Sequence, residues 1–253
     1  MTSLSSYLPL IIGLSVLATT EPASGSEEIQ YGQFEVTHKA VEFLDPETID
    51  TVASFLDAET DITWKMYVPK SYDPARPAGL MVYISPSQKG WIPRKWQSVF
   101  NDSNMIWISA NESGNEVVVG KRMIYAVLAP QIAAKNYQID KDRIYLSGFS
   151  GGGKVSGMVA INFANLFRGA LYICGAEYWN EEPPRHFANV EKNRYVFLTG
   201  SQDFNHDLTY KIFFKYEAAG LENIELINVP RMAHENPDTR YFRKALEFLD
   251  HRD

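Results

Sequence analysis

Residues Arg143-Ile144-Tyr145-Leu146-Ser147 read as a buried β-strand, and Gly148-Phe149-Ser150-Gly151-Gly152 follows at once, leading into a segment of helical character. A strand that turns straight into a helix through G-x-S-x-G leaves few architectures open. The turn must be sharp and strained. Side chains two residues before and after its tip would collide, so Gly148 and Gly152 are needed there. Ser150 at the tip projects its hydroxyl out of the sheet, where the N-terminus of the following helix favours developing negative charge. Two other readings compete. Gly148 and Gly153-Lys154 supply most of a phosphate-binding loop, but Val155 stands where the magnesium-binding hydroxyl belongs. A turn that only lets a helix pack closely on a strand would also use these glycines.

The surroundings of the motif set the fold class. Apolar, β-rich runs recur at Ile62–Val68, Leu80–Ser85, Met105–Ser109, Arg143–Leu146, Ala170–Cys174, Tyr195–Leu198 and Ile224–Val229. Helical segments separate most of them. These are Val117–Ala134 (which Pro130 is expected to kink or end), Lys154–Phe167, Leu208–Ala219 and Thr239–Leu249. Strands alternating with helices predict an α/β fold, a mostly parallel central sheet with helices on both faces. In such sheets the chemistry collects at the carboxyl ends of the strands.

A serine on this turn needs a base and an acid, which follow it in the order Ser, Asp or Glu, His. Tyr195–Leu198 runs into Thr199-Gly200-Ser201-Gln202-Asp203, so Asp203 lies just past a strand end and is placed to orient an imidazole. Asp207 is the rival and reads instead as the N-cap of helix 208–219. Of the five histidines, His234 alone follows the last strand and precedes the last helix. His206, three residues beyond Asp203, is the other one to watch.

The 24 Lys and Arg against 31 Asp and Glu give a net charge of −7, with no basic cluster, which argues against nucleic acid or an anionic membrane as partner. One cysteine, Cys174, excludes an internal disulfide framework and any multi-cysteine zinc site, and Leu171-Tyr172-Ile173-Cys174 marks it as a core residue. At the front, Leu8 to Ala18 form an apolar stretch of signal-peptide length, and Ala23 and Gly25 suit a cleavage after Gly25. No Lys or Arg precedes it. The expectation is a signal peptide over 1–25, a single domain over 26–253, and export to the periplasm or beyond without stable membrane association.

Ile139-Asp140-Lys141-Asp142-Arg143-Ile144-Tyr145-Leu146-Ser147-Gly148-Phe149-Ser150 resembles the strand and elbow of secreted bacterial esterases. These form the polyhydroxybutyrate-depolymerase and feruloyl-esterase-like branch of the α/β-hydrolases. Asp203 in Gly-Ser-Gln-Asp and His234 near the C-terminus match that family's acid and base by position, and the resemblance covers roughly residues 60 to 250. Trp107-Ile108-Ser109-Ala110-Asn111-Glu112-Ser113-Gly114-Asn115 is also similar to family sequence, without a defined role. The family places His-Gly after the strand matching Leu80–Ile84, and the next N–H serves the oxyanion. This chain has Ser85-Pro86-Ser87, so the resemblance implies an oxyanion hole from the N–H groups of Ser87 and Gly151.

Together these readings predict a serine carboxylic-ester hydrolase with little or no lid. Ser150 is the nucleophile, His234 the base and Asp203 its orienter, acting on a small or oligomeric ester without metal or organic cofactor. Trp91, Tyr178 and Trp179 are the candidate walls of a substrate pocket, with Trp96 nearby, although aromatic residues in this number also build cores. Two other functions share the sequence: a serine peptidase or acyltransferase with the same triad, and a non-catalytic binding protein that kept the fold.

Overall fold

The computed structural model describes residues 29–179, 183–184 and 186–251; the expected signal peptide lies outside them. Eight strands form one sheet: β1 (Gly32–Lys39), β2 (Asp61–Val68), β3 (Ala78–Ile84), β4 (Met105–Ala110), β5 (Ile139–Phe149), β6 (Gly169–Ile173), β7 (Arg194–Gly200) and β8 (Ile224–Val229). Their spatial order is β1-β2-β4-β3-β5-β6-β7-β8. The pairs β1–β2 and β2–β4 are antiparallel and every other pair is parallel. The predicted α/β architecture is therefore present, with one further strand, β1, at an edge. Its residues alternate between half-buried and exposed, a weaker signal than the fully buried run of β3.

Helices cover both faces. The longer ones are α3 (Val119–Ala134), α4 (Gly151–Asn162), α6 (His206–Ala218) and α7 (Thr239–Leu249); α1 (Pro46–Val52), α2 (Gln97–Asp102) and α5 (Phe187–Lys192) are short. One core layer packs residues of α3, α4 and α6, among them Ile124, Leu128, Val159 and Tyr216, against the sheet. The second packs α2 and α7, through Phe100, Phe242 and Leu246, against the other face. Among the described residues no helix is long and apolar enough to cross a membrane.

Three local expectations are corrected. Pro130 does not end α3, which runs on to Ala134. A proline inside a helix costs about 3 kcal/mol, whereas each buried Ile, Val or Leu contributes roughly 1.5–3 kcal/mol. Ile124, Val127, Leu128 and Ile132 of this helix are all buried, so packing wins. Next, α4 begins at Gly151 rather than Lys154, because its glycines are helical residues fitted against neighbouring backbone. Finally, α6 begins at His206, with Asn205 at the N-cap and Asp207 in its first turn. The Asp203 carboxylate accepts the Asn205 N–H at 3.0 Å and the Asp203 carbonyl accepts the His206 N–H at 2.9 Å, which starts the helix two residues early.

Trp96 belongs to the core and not to a pocket wall. It is 1% exposed, its ring stacks on Phe242 at 4.1 Å, and its indole N–H donates to the Pro237 carbonyl at 3.1 Å. Trp96→Ala is expected to lower unfolding free energy by about 3–5 kcal/mol. Trp96→Phe, which keeps a ring but abandons the carbonyl, should lose about 1–3 kcal/mol. Urea titrations of both variants, followed by far-UV circular dichroism, measure the two losses.

Candidate active site

Ser150 sits between the end of β5 and the start of α4 with φ 57° and ψ −121°, a conformation strained for any residue but glycine. Its neighbours explain why the flanking positions are glycines. A Cβ on Gly148 would collide with the Gly152 carbonyl group, and one on Gly152 would collide with the Ile84 carbonyl oxygen at the end of β3. The Ser150 N–H, donating to the Ile173 carbonyl at 2.8 Å, carries the β5–β6 ladder into the turn.

Ser150, Asp203 and His234 meet at this end of the sheet. His234 Nε2 is 2.8 Å from Ser150 Oγ, and His234 Nδ1 is 2.7 Å from Asp203 Oδ1. Asp203 lies just beyond β7 and His234 beyond β8, so one ring spans loops 31 residues apart in the chain. A carboxylate beside Nδ1 holds the proton there and leaves Nε2 to accept from the serine hydroxyl. The Asp203 side chain is fully buried and that of His234 is 19% exposed.

Burial would raise the Asp203 carboxyl, yet its value is held below the ordinary carboxylate range. Hydrogen bonds from the Asn205 N–H, His234 and the Thr199 hydroxyl, with the Cys174 thiol close by, favour the ionised form and outweigh the burial. Thr199 Oγ1 donates to Oδ2 at 2.8 Å. His206 stands apart: it pairs with Asp207 at 2.9 Å and lies on the Tyr210 ring.

Cys174, Asp203 and His234 present side-chain donor atoms within 4.8 Å of one another, the type of cluster that can hold a metal. Here the donors are committed elsewhere. Burial and the neighbouring Asp203 push the Cys174 thiol well up, so it stays protonated, while its Sγ–H points at the Glu235 carbonyl at 3.6 Å. Coordination would require a thiolate and would break the Asp203–His234 pair.

The loop after β3 departs from its expected role. The Ser87 N–H is turned onto Ser85 Oγ at 3.1 Å, and the two hydroxyl oxygens are 2.9 Å apart. Arg122, 3% exposed, donates from Nη2 to the Ser85 carbonyl at 3.0 Å, and burial lowers its pKa to about 10. The segment after β4 clamps this loop. Glu112 N–H donates to the Gln88 carbonyl at 2.6 Å, Asn115 N–H donates to the Pro86 carbonyl at 3.0 Å, and the Gln88 and Glu116 side chains pair. That clamp gives Asn111–Asn115 a structural part the sequence did not disclose. The Gly151 N–H, the first of α4, has no acceptor within its own helix.

The rings against His234 are Phe204, stacked at 3.9 Å and 77% exposed, and Phe149 at 4.8 Å. Sequence reasoning singled out neither, although Phe204 directly follows Asp203. Trp91 lies under the Lys65 ammonium at 4.2 Å. Tyr178 and Trp179 stack on each other at 4.0 Å and pack against Tyr216, beside α6. Among the described residues no ring contact joins these three to His234.

No protein-family model matches the sequence, and no curated protein matches it either. Solved structures do match. The feruloyl esterase module from Clostridium thermocellum, complexed with sinapinate, aligns over 94% of this chain and 95% of its own, with TM-score 0.64 and 13% identity. S-formylglutathione hydrolase from Staphylococcus aureus aligns over 86% and 98%, with TM-score 0.59 and 12% identity. The acylaminoacyl peptidase of Pyrococcus horikoshii aligns over 79% of this chain but 42% of its own, with TM-score 0.59 and 12% identity. The fold is the α/β-hydrolase fold, and Ser150 stands in the turn from β5 to α4.

Two outcomes are expected of this geometry. Gly152→Ala forces a Cβ into the Ile84 carbonyl and should leave little folded protein, as measured by yield and circular dichroism. Because the folded pKa of Asp203 is depressed, its contribution to stability is full above the unfolded value near 3.9 and is lost as pH falls through the lower folded value. The urea midpoint of the wild type should therefore fall more steeply below about pH 4 than that of Asp203→Asn.

Proposed function

We propose that this protein is a serine hydrolase acting on carboxylic esters. The observation that carries the reading is the continuous hydrogen-bonded relay Ser150–His234–Asp203, mounted on a strained elbow. In the first half-reaction Ser150 Oγ bonds to the ester carbonyl carbon while its proton passes to His234 Nε2. Asp203 stays ionised and faces the imidazolium that forms. The tetrahedral intermediate collapses, the carbon–alkoxy bond breaks, and the leaving alcohol takes the proton back from His234. A water molecule, deprotonated by the same nitrogen, then bonds to the acyl carbon; the bond from that carbon to Ser150 Oγ breaks, His234 returns the proton to Oγ, and the acid leaves. These steps need no group beyond the side chains named and water.

The solved structures support the ester assignment by analogy, because one of the three is named a feruloyl esterase and another a hydrolase. The peptidase among them keeps amide cleavage as a second reading. Phe204, an exposed ring directly on the base, is the best-supported contact for an acyl or aryl group. Trp91, Tyr178 and Trp179 stay as candidates set back from the relay. Export of the chain, with removal of residues up to Gly25, rests on the apolar stretch Leu8 to Ala18. N-terminal sequencing of the protein recovered from the periplasm or medium tests that cleavage.

The enzyme reading is tested with a fluorophosphonate probe and intact-mass peptide mapping. Wild type should label at Ser150, Ser150→Ala should not label, and His234→Ala should label at least ~10³-fold more slowly. The same preparations should hydrolyse p-nitrophenyl acetate far faster than a matched anilide. Well-folded wild type that ignores the probe would turn the reading towards a binding protein; preference for the anilide would turn it towards a peptidase.

A further inference from the structure

The relay moves protons, but the reaction also puts a full negative charge on the former carbonyl oxygen, and main-chain donors for it are scarce. Pro86 has no N–H, and the Ser87 N–H is engaged by Ser85 Oγ at 3.1 Å. That leaves the Gly151 N–H, and one donor is a poor oxyanion hole. We infer that the carboxamide of Asn115 supplies the second donor.

The placement follows from Gly151. A Cβ built on Gly151 would run into Asn115 Oδ1 and would lie 2.8 Å from Cγ and 3.1 Å from Nδ2. The carboxamide thus lies against the residue that carries the first donor, next in sequence to Ser150, and occupies the space an alanine methyl would fill. This gives the glycine at 151 its own reason, distinct from those of Gly148 and Gly152. The backbone of Asn115 is fixed by its N–H to the Pro86 carbonyl at 3.0 Å and by the Glu112–Gln88 bond at 2.6 Å in the same clamp. The residue is exposed. The terminal torsion of an asparagine is broad and two-fold, so bringing Nδ2 onto an oxygen held at Gly151 N–H costs little. The charged oxygen accepts two hydrogen bonds, Gly151 N–H and Asn115 Nδ2–H, and no covalent bond at Asn115 changes. Asparagine side chains are competent donors of this type, worth about 10²–10³ in kcat where one has been removed.

The inference rests on Ser150 being the nucleophile, and the test separates the two. Initial rates on p-nitrophenyl acetate are measured for wild type, Asn115→Ala and Asn115→Leu, together with inhibition by an aryl boronic acid and the thermal midpoint of each. Leucine has nearly the shape of asparagine and keeps the fold falsifiable should alanine loosen the clamp. Both variants should lose about 10²–10³ in kcat, with KM within about twofold and boronate affinity reduced in parallel. Retention of kcat within about threefold, or a loss confined to KM, with wild-type thermal midpoints, overturns the assignment while leaving the nucleophile intact. A wild type that neither turns over ester nor labels at Ser150 overturns both.

Discussion

Backbone pressed against backbone at the elbow is the constraint from which the rest of this site follows. Gly152 meets the Ile84 carbonyl at the end of β3, Gly153 meets the Gly175 carbonyl beyond β6, and Gly175 meets the Ser150 carbonyl. No side chain fits between these elements. Their contact seats the start of α4 tightly on the carboxyl ends of β3 and β5 and on the turn after β6. It also aims the first turn of α4 at the space above Ser150, where helix-end N–H groups favour negative charge.

The strain this creates is held by the sheet. Ser150 at φ 57° and Cys174 at φ 53° are both non-glycine residues in the left-handed region, and they lie just past neighbouring strands. Each still donates its N–H to the next strand, Ser150 to Ile173 and Cys174 to Leu198, both at 2.8 Å, and Ser201 bonds Val229 at 3.0 Å. The ladder therefore extends one residue beyond β5, β6 and β7 even though the chain turns sharply there. Isolated turns of this shape would relax. Arg122 adds a second cost nearby: among the described residues its buried guanidinium has no carboxylate in hydrogen-bond contact, and its Nε has no partner while Nη2 holds the Ser85 carbonyl. Its positive charge therefore sits at the start of the loop after β3.

What could be read in the sequence was whatever a local rule enforces. Glycines two residues on either side of Ser150, an aspartate one turn past a strand and a histidine after the last strand are each short-range patterns. The bounds of β8 and α7 likewise match their apolar runs, Ile224–Val229 and Thr239–Leu249. The misses share a different cause. Whether the Ser87 N–H faces a substrate or a neighbouring hydroxyl depends on a rotamer of Ser85. Whether an aromatic residue lines a cleft or fills a core depends on which face of the sheet its loop crosses; Trp96 proved buried while Phe204 proved wet. The three glycines opening α4 read as loop by propensity yet are helical, and Asn115, Ile84 and Gly175 leave no room for a larger residue at 151, 152 and 153 respectively. Asn115 acts through a contact across 36 positions that no periodicity encodes.

The middle member of the relay is the last of the three in the chain, and order along the chain is order in time. His234 follows Ser150 by 84 residues and reaches it from beyond β8, the last strand and an edge of the sheet. At synthesis rates of about 5–20 residues per second, roughly 4–17 s separate the making of the serine from the making of its partner. During that interval the nascent chain carries an ordinary, unactivated hydroxyl. A polypeptide interrupted anywhere before β8 lacks His234, so on the proposed mechanism the serine gains its base only with the completed sheet.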